Sequence, residues 1–168
     1  ASEDLQKRLQ EGKISPQERV VAALQNYFQA SNLEQLRELT LRELASQIDA
    51  HRAELEFTRL DADERARTLI VSYGTSARSM IEAARMARAT GKRVSTLTIQ
   101  SLFPVPEQAL RNAMRDVTRV IVPELNFGQY RLEIEHVAAT VDSRPQVIGV
   151  NRVDGDLIEP AEIEEQIV

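Results

Sequence analysis

The sequence predicts an α/β fold with a mainly parallel sheet, preceded by an α-helical extension. Residues 67–168 alternate short β-branched runs with amphipathic stretches, while residues 1–66 show only helical spacing. Glycine or proline marks most changes of period in the second part. Strands alternating with helices at this interval are joined by right-handed crossovers and therefore lie parallel.

In the extension, Ser15-Pro16-Gln17-Glu18 has the form of a helix start: a hydroxyl cap, proline at the first position and glutamate three residues after the cap. Val20, Val21, Leu24 and Phe28 continue it as an apolar stripe at spacings near three and four. Ser31-Asn32 interrupts that stripe, and Leu36, Leu39, Leu44, Ile48 and Leu55 form a second. Short amphipathic helices seldom persist alone in water, so this part is expected to pack on the α/β body or on a partner. Asp61-Ala62-Asp63-Glu64 marks the boundary.

The α/β part opens with a strand over residues 68–73 that ends at Gly74. An Ala-rich helix follows over residues 76–90, with Met80, Ala84 and Ala87 on one face and Gly91 as C-cap. Residues 94–99 are a second strand, 104–114 a helix, and 117–122 a third strand that breaks at Pro123. A helix over 130–141 carries Tyr130, Ile134, Val137 and Val141 on one stripe. Residues 147–153 form a fourth strand and 160–167 a last helix.

Composition narrows the function. Apolar residues make up 42% of 168, enough for a core of one domain with an appendage. The net charge of −5 argues against nucleic acid as the main partner. Residues 1–66 hold 9 basic and 13 acidic groups, against 12 and 13 in residues 67–168, so the acidity lies mostly in the first part. The absence of cysteine excludes disulfides, thiolate metal sites, a Cys nucleophile and iron–sulfur ligation by this chain. No apolar run reaches membrane-spanning length and Ala1-Ser2-Glu3-Asp4 has no signal-peptide character, so a cytoplasmic chain is expected. An initial Ala fits both removal of a start methionine and a fragment boundary.

The densest functional signal is the run from Val122 to Gln129. It places Glu124, Asn126, Gly128 and Gln129 at the carboxyl end of a strand, where open α/β sheets hold ligands and partners. Glu124 and Asn126 could bond across an interface, with Gly128 allowing close approach. Alternatively, Asn126 caps the helix and the others are simply exposed. A lone carboxylate makes no case for acid–base catalysis. Gly74, Thr75 and Ser76 could hold an anion at a helix N-terminus with Arg78 nearby, or form a tight turn with a hydroxyl cap. That turn lacks the further glycines of a dinucleotide loop and the lysine of a P-loop.

The other candidates read as structural. Pro104 and Pro106 stiffen the connection around Phe103, which is expected to be buried under the loop although exposure would make it an interface anchor. His51 and His136 lack metal-ligand spacing, and Asp154-Gly155-Asp156 reads as a turn. No catalytic or metal-binding residue is therefore assigned.

Four segments carry a family resemblance. They are Leu69-Ile70-Val71-Ser72-Tyr73-Gly74-Thr75, Gln100-Ser101-Leu102-Phe103-Pro104-Val105-Pro106, Ile121-Val122-Pro123-Glu124-Leu125-Asn126-Phe127-Gly128-Gln129, and Val153-Asp154-Gly155 with Ile158-Glu159-Pro160-Ala161-Glu162-Ile163. In order and separation they resemble the transketolase C-terminal-like domain of the 2-oxoacid:ferredoxin oxidoreductase alpha-subunit family. The resemblance implies a Rossmann-like, three-layer domain within a complex that uses thiamine diphosphate, magnesium, iron–sulfur clusters and coenzyme A to convert a 2-oxoacid to an acyl-CoA. It also implies thiamine-binding and iron–sulfur subunits as partners, with a homo-oligomer compatible and neither nucleic acid nor membrane required. The pyrimidine-binding domain that precedes this region in the family is not apparent here, so the resemblance implies a structural or assembly role without autonomous activity. A binding or assembly module that keeps the fold but not the 2-oxoacid chemistry is the alternative, motivated by residues 1–66. A small enzyme using the turn at Gly74 to Ser76 is a third reading.

Overall fold

The computed structural model describes Glu11 and residues 33–168. The expected helix start at Ser15-Pro16 and the stripe from Val20 to Phe28 lie outside the described residues. The chain divides into two compact units, Ala1–Arg52 and Ala53–Val168. In the first unit, helix α1 (Leu33–Ala50) carries Arg42 paired to Glu38 one turn earlier at 2.5 Å. Of its expected apolar stripe, Leu39 and Leu44 are exposed and Ile48 is half-buried. A short helix α2 (Arg52–Leu55) follows.

The second unit holds β1 (Thr58–Asp61), β2 (Thr68–Tyr73), α3 (Ser76–Ala89), β3 (Val94–Ile99), α4 (Glu107–Ala113), β4 (Arg119–Glu124), α5 (Gln129–Ala138), β5 (Gln146–Asn151) and α6 (Pro160–Glu164). The strand order is β1-β3-β2-β4-β5, with β1 antiparallel to β3 and the other neighbours parallel. The α/β class and the four parallel strands agree with the sequence expectation.

Strand β1 corrects the expectation that residues 1–66 are helical throughout. It pairs Thr58 with Ile99 and Asp61 with Thr96, and is mostly exposed. A four-residue edge strand reading Thr-Arg-Leu-Asp has no apolar alternation to announce it. Other bounds shift by a few residues. Strand β4 runs to Glu124 and includes Pro123, rather than breaking there. Helix α4 begins at Glu107, after Pro106 with ψ 65°.

Alternation along the strands builds two apolar layers. Leu69, Val71, Leu97, Ile99, Leu110 and Ile134 meet on the face covered by α4 and α5. Ile70, Met80, Ala84, Val94, Ile121 and Ile163 meet on the face covered by α3 and α6. Burial on both faces explains why β2 reads as an almost unbroken apolar run. Each large buried side chain contributes about 1.5–3 kcal/mol to holding these layers.

This layering creates a switch point. The chain leaves β2 for α3 on one face and leaves β4 for α5 on the other, while β2 and β4 are neighbours. The crevice between their carboxyl ends is where an open α/β sheet would accept a ligand.

Candidate functional site

The β2–β4 ladder pairs Thr68 with Arg119, Leu69 with Val120 and Ile70 with Ile121, and then stops. Pro123 explains the stop. The backbone N–H of Arg119 donates to Arg67 O, so odd-numbered residues of β4 face β2. Pro123 falls on that side without an N–H. Its carbonyl instead accepts the Ser72 hydroxyl at 2.9 Å. Beyond this point the strands part, and the resulting gap is filled from within.

Glu124 bridges it. It is 1% exposed, and its Oε2 accepts the Tyr130 N–H at 3.0 Å and the Tyr73 hydroxyl at 3.1 Å. Its Oε1 accepts the Arg131 N–H at 2.9 Å. Asn126 completes the set: Oδ1 accepts the N–H groups of Gly128 at 2.7 Å and Gln129 at 3.0 Å, while Nδ2 donates to Tyr73 Oη at 2.9 Å. The N–H groups of residues 128 to 131 at the start of α5 are therefore all taken by the chain's own side chains. Gly128 has φ +89°, which lets the backbone turn back over Asn126 into the helix.

The aromatic groups close the arrangement. Tyr73 and Tyr130 meet edge to face, with centroids 5.4 Å apart. Burial, then the charge of Glu124, raises the Tyr73 hydroxyl above its ordinary pKa. Burial raises Tyr130 further, with Glu133 adding to the effect. Among the described residues the Tyr130 hydroxyl has no hydrogen-bond partner.

Glu124, Asn126 and Gly128 thus converge, and Gln129 joins them through its backbone only. The reading of Asn126 as a cap holds, whereas the companion reading of Glu124 as simply exposed does not, because the start of α5 draws its carboxylate inward. Gly74, Thr75 and Ser76 follow Tyr73 directly but make no side-chain hydrogen bond to this cluster. Gly74 has φ +55°, but of the two hydroxyls that could cap the helix, Thr75 and Ser76, Thr75 makes no side-chain cap to α3 and Ser76 is buried. Sequence reasoning missed Ser72 and Tyr73 as partners of the β4 turn. Their signal was the hydroxyl pair ending an otherwise apolar strand.

Phe103 is 72% exposed, contrary to the expected burial, because Pro104 and Pro106 take the buried positions of that connection. Phe127, 82% exposed after β4, and Phe57, 57% exposed before antiparallel β1, lie at the same end of the strands. His51 and His136 are exposed. Asp154 Oδ1 accepts the Asp156 N–H at 3.1 Å around Gly155, giving the expected turn. A shallow depression lined by Asp61, Asp63, Arg88 and Arg93 is neutralised internally by Arg88–Asp61 and Arg93–Asp63 pairs, each at 2.7 Å. Among the described residues no group of three or more His, Cys, Asp or Glu is placed to hold a metal ion. No described helix is long and apolar enough to cross a membrane.

Two segments of the chain match known protein families. Residues 1–48 match the osmosensitive K+ channel His kinase sensor domain. A putative sensor protein KdpD of Synechocystis sp. is 38% identical over 98 residues, covering 58% of this chain and 28% of that protein. The 2-oxoglutarate synthase subunit KorA of Methanothermobacter thermautotrophicus is 33% identical over 137 residues, covering 82% of this chain and 35% of that subunit. The chain thus spans about a third of the length of the KorA subunits it matches, 35% and 37% in two of them. Among solved structures, the 2-oxoglutarate:ferredoxin oxidoreductase from Magnetococcus marinus, with 2-oxoglutarate, coenzyme A and succinyl-CoA bound, superposes at TM-score 0.66 with 22% identity. That alignment covers 82% of this chain and 23% of that one, and bears on the fold. Residues 66–163 match the pyruvate:ferredoxin oxidoreductase core domain II, and the chain belongs to that family, as a transketolase C-terminal-like domain of the 2-oxoacid:ferredoxin oxidoreductase type.

Proposed function

We propose that this chain is a non-catalytic structural and assembly domain of a thiamine diphosphate-dependent 2-oxoacid:ferredoxin oxidoreductase complex, working in the cytoplasm. The observation that carries the reading is the filled switch point: Ser72, Tyr73, Glu124 and Asn126 occupy the crevice where a ligand would enter. Such a domain contributes surface rather than a site. Phe57, Phe103 and Phe127 give it exposed aromatic groups at one end of the sheet, the kind that anchor interfaces. Gly74, Thr75 and Gln129, which are exposed, are read as interface residues at that end, and Ser76 is buried beneath them.

Magnesium and an iron–sulfur cluster do not fit this chain's described residues, and neither does a diphosphate at the start of α5. Glu124 and Asn126 take the N–H groups there, whereas the start of α3 at Thr75 carries no side-chain cap. The described residues offer no carboxylate or histidine cluster for magnesium, and the sequence has no cysteine for an iron–sulfur cluster. Magnesium and the clusters are therefore assigned to partner subunits, thiamine diphosphate and coenzyme A are assigned there on the assembly reading, and no catalytic step is assigned to this chain.

A second reading rests on the match of residues 1–48 to a kinase sensor domain. There the α/β domain is a reused binding module, and the first segment recruits a partner unrelated to 2-oxoacid chemistry. Affinity purification of the full chain from its own cells, with mass spectrometry of the co-purifying proteins, separates the two. A thiamine-binding subunit together with a cysteine-rich iron–sulfur subunit supports the first reading. Their absence overturns it, and recovery of sensor or transport proteins favours the second.

A further inference from the structure

The two edges of the sheet are built differently. Strand β1 has four residues, two of them the charged Arg59 and Asp61, which are common guards against unwanted strand pairing. Strand β5, Gln-Val-Ile-Gly-Val-Asn, has six residues and neither charge nor proline, and its four central residues are only half-buried. Its outward register follows from its bonds to β4. The N–H of Gln146 donates to Thr118 O and that of Arg152 to Glu124 O, so the even-numbered residues face β4. The N–H and C=O groups of Val147, Gly149 and Asn151 consequently point away from the sheet.

A cation sits above the middle of this edge. A Cβ on Gly149 would lie 2.7 Å from Arg131 Nη1 and 2.4 Å from Asn151 Oδ1, so the glycine lets the guanidinium rest against the strand where a side chain would push it or Asn151 aside. Arg131 Nε lies 3.2 Å from Glu135 Oε1 in a charge contact, yet it makes no hydrogen bond. Among the described residues neither terminal nitrogen of Arg131 donates a hydrogen bond, and the side chain is 32% exposed. A residue added opposite Gly149 would place its side chain on the same face as this cation.

We infer that β5 is a docking edge for an extended segment of a partner polypeptide that carries an aspartate or glutamate opposite Gly149. The backbone of Val147 and Gly149 supplies the ladder bonds and Arg131 selects the charge. A second copy pairing antiparallel about Gly149 would bring two Arg131 guanidinium groups together, and this like-charge contact disfavours a homodimer through this edge. The inference deepens the assembly reading above, from which it takes only the expectation of a polypeptide partner.

The test uses the full chain and two capped pentapeptides, Thr-Val-Glu-Val-Thr and Thr-Val-Lys-Val-Thr. Amide hydrogen exchange at Val147 and Gly149 reads occupancy. The glutamate peptide is expected to slow exchange at both amides and to bind roughly fivefold or more tightly than the lysine peptide, as expected when a partly exposed ion pair replaces repulsion. Arg131→Gln should abolish that preference. Val147→Pro, which removes an outward donor but no bond to β4, should weaken both peptides while thermal unfolding shows the fold intact. No protection of these amides at millimolar glutamate peptide overturns the docking edge. Equal binding of both peptides, unchanged in Arg131→Gln, overturns the charge selection. Either failure leaves the copurification test of the parent reading untouched.

Discussion

Glu124 holds Tyr73 across the gap between β4 and β2, carboxylate to hydroxyl at 3.1 Å, while the same carboxylate caps α5 through the N–H groups of Tyr130 and Arg131. One buried side chain therefore closes the crevice and fixes the helix after it. Glu124→Gln keeps the shape but replaces one accepting oxygen with an amide donor that faces backbone N–H. The expected cost is about 1–3 kcal/mol, measured by urea unfolding.

Gly128 tests the entry to α5 separately. At φ +89° a branched side chain is strained whatever space surrounds it. Gly128→Val should lower stability by about 1–3 kcal/mol, and Asn126→Ala, which removes the cap, by about 1 kcal/mol. If Gly128→Val unfolds at the wild-type urea midpoint and enters the complex normally, this turn has no special role.

The raised Tyr73 pKa gives a pH dependence of defined sign. The folded state keeps the proton in a range where the unfolded chain has lost it, so stability is complete below the ordinary tyrosine value of about 10 and falls as pH rises through the folded value. The alkaline fall in thermal midpoint should be shallower in Tyr73→Phe. Tyr130 should continue the wild-type decline, since burial shifts its hydroxyl in the same direction.

Phe103 and Phe127 are 72% and 82% exposed, so neither is needed for folding. Phe103→Ser and Phe127→Ser should change unfolding free energy by no more than about 0.5 kcal/mol. Under the assembly reading the same variants recover less partner on affinity purification. Normal recovery with both residues replaced would remove Phe103 and Phe127 from the proposed interface.

The sheet was legible in sequence because its parallel strands are buried on both faces. Thr68–Tyr73 and Val94–Ile99 stand out as β-branched and apolar runs, and Gly74 and Gly91 end them or their helices. Strand β1 escaped because an exposed edge of four residues needs no apolar pattern. Pro123 was read as a strand end because proline cannot donate to a ladder. It stays in β4 by facing β2 where the two strands separate, and Ser72 bonds its carbonyl. The site was legible as the segment from Glu124 to Gln129, but its direction was not. Sequence shows that a carboxylate is present, whereas only the meeting of Tyr73 with the start of α5 shows that it turns inward.

Amide hydrogen exchange on the full chain tests whether it closes its own crevice and leaves cofactor binding to partners. The amides of residues 74–77 and 128–131 would be followed without additions, with thiamine diphosphate and magnesium, and with coenzyme A. Slow exchange at 128–131 from the start, with no change at either segment on any addition, is the predicted result. Protection of either segment by either cofactor would contradict the claim and make the crevice a binding site.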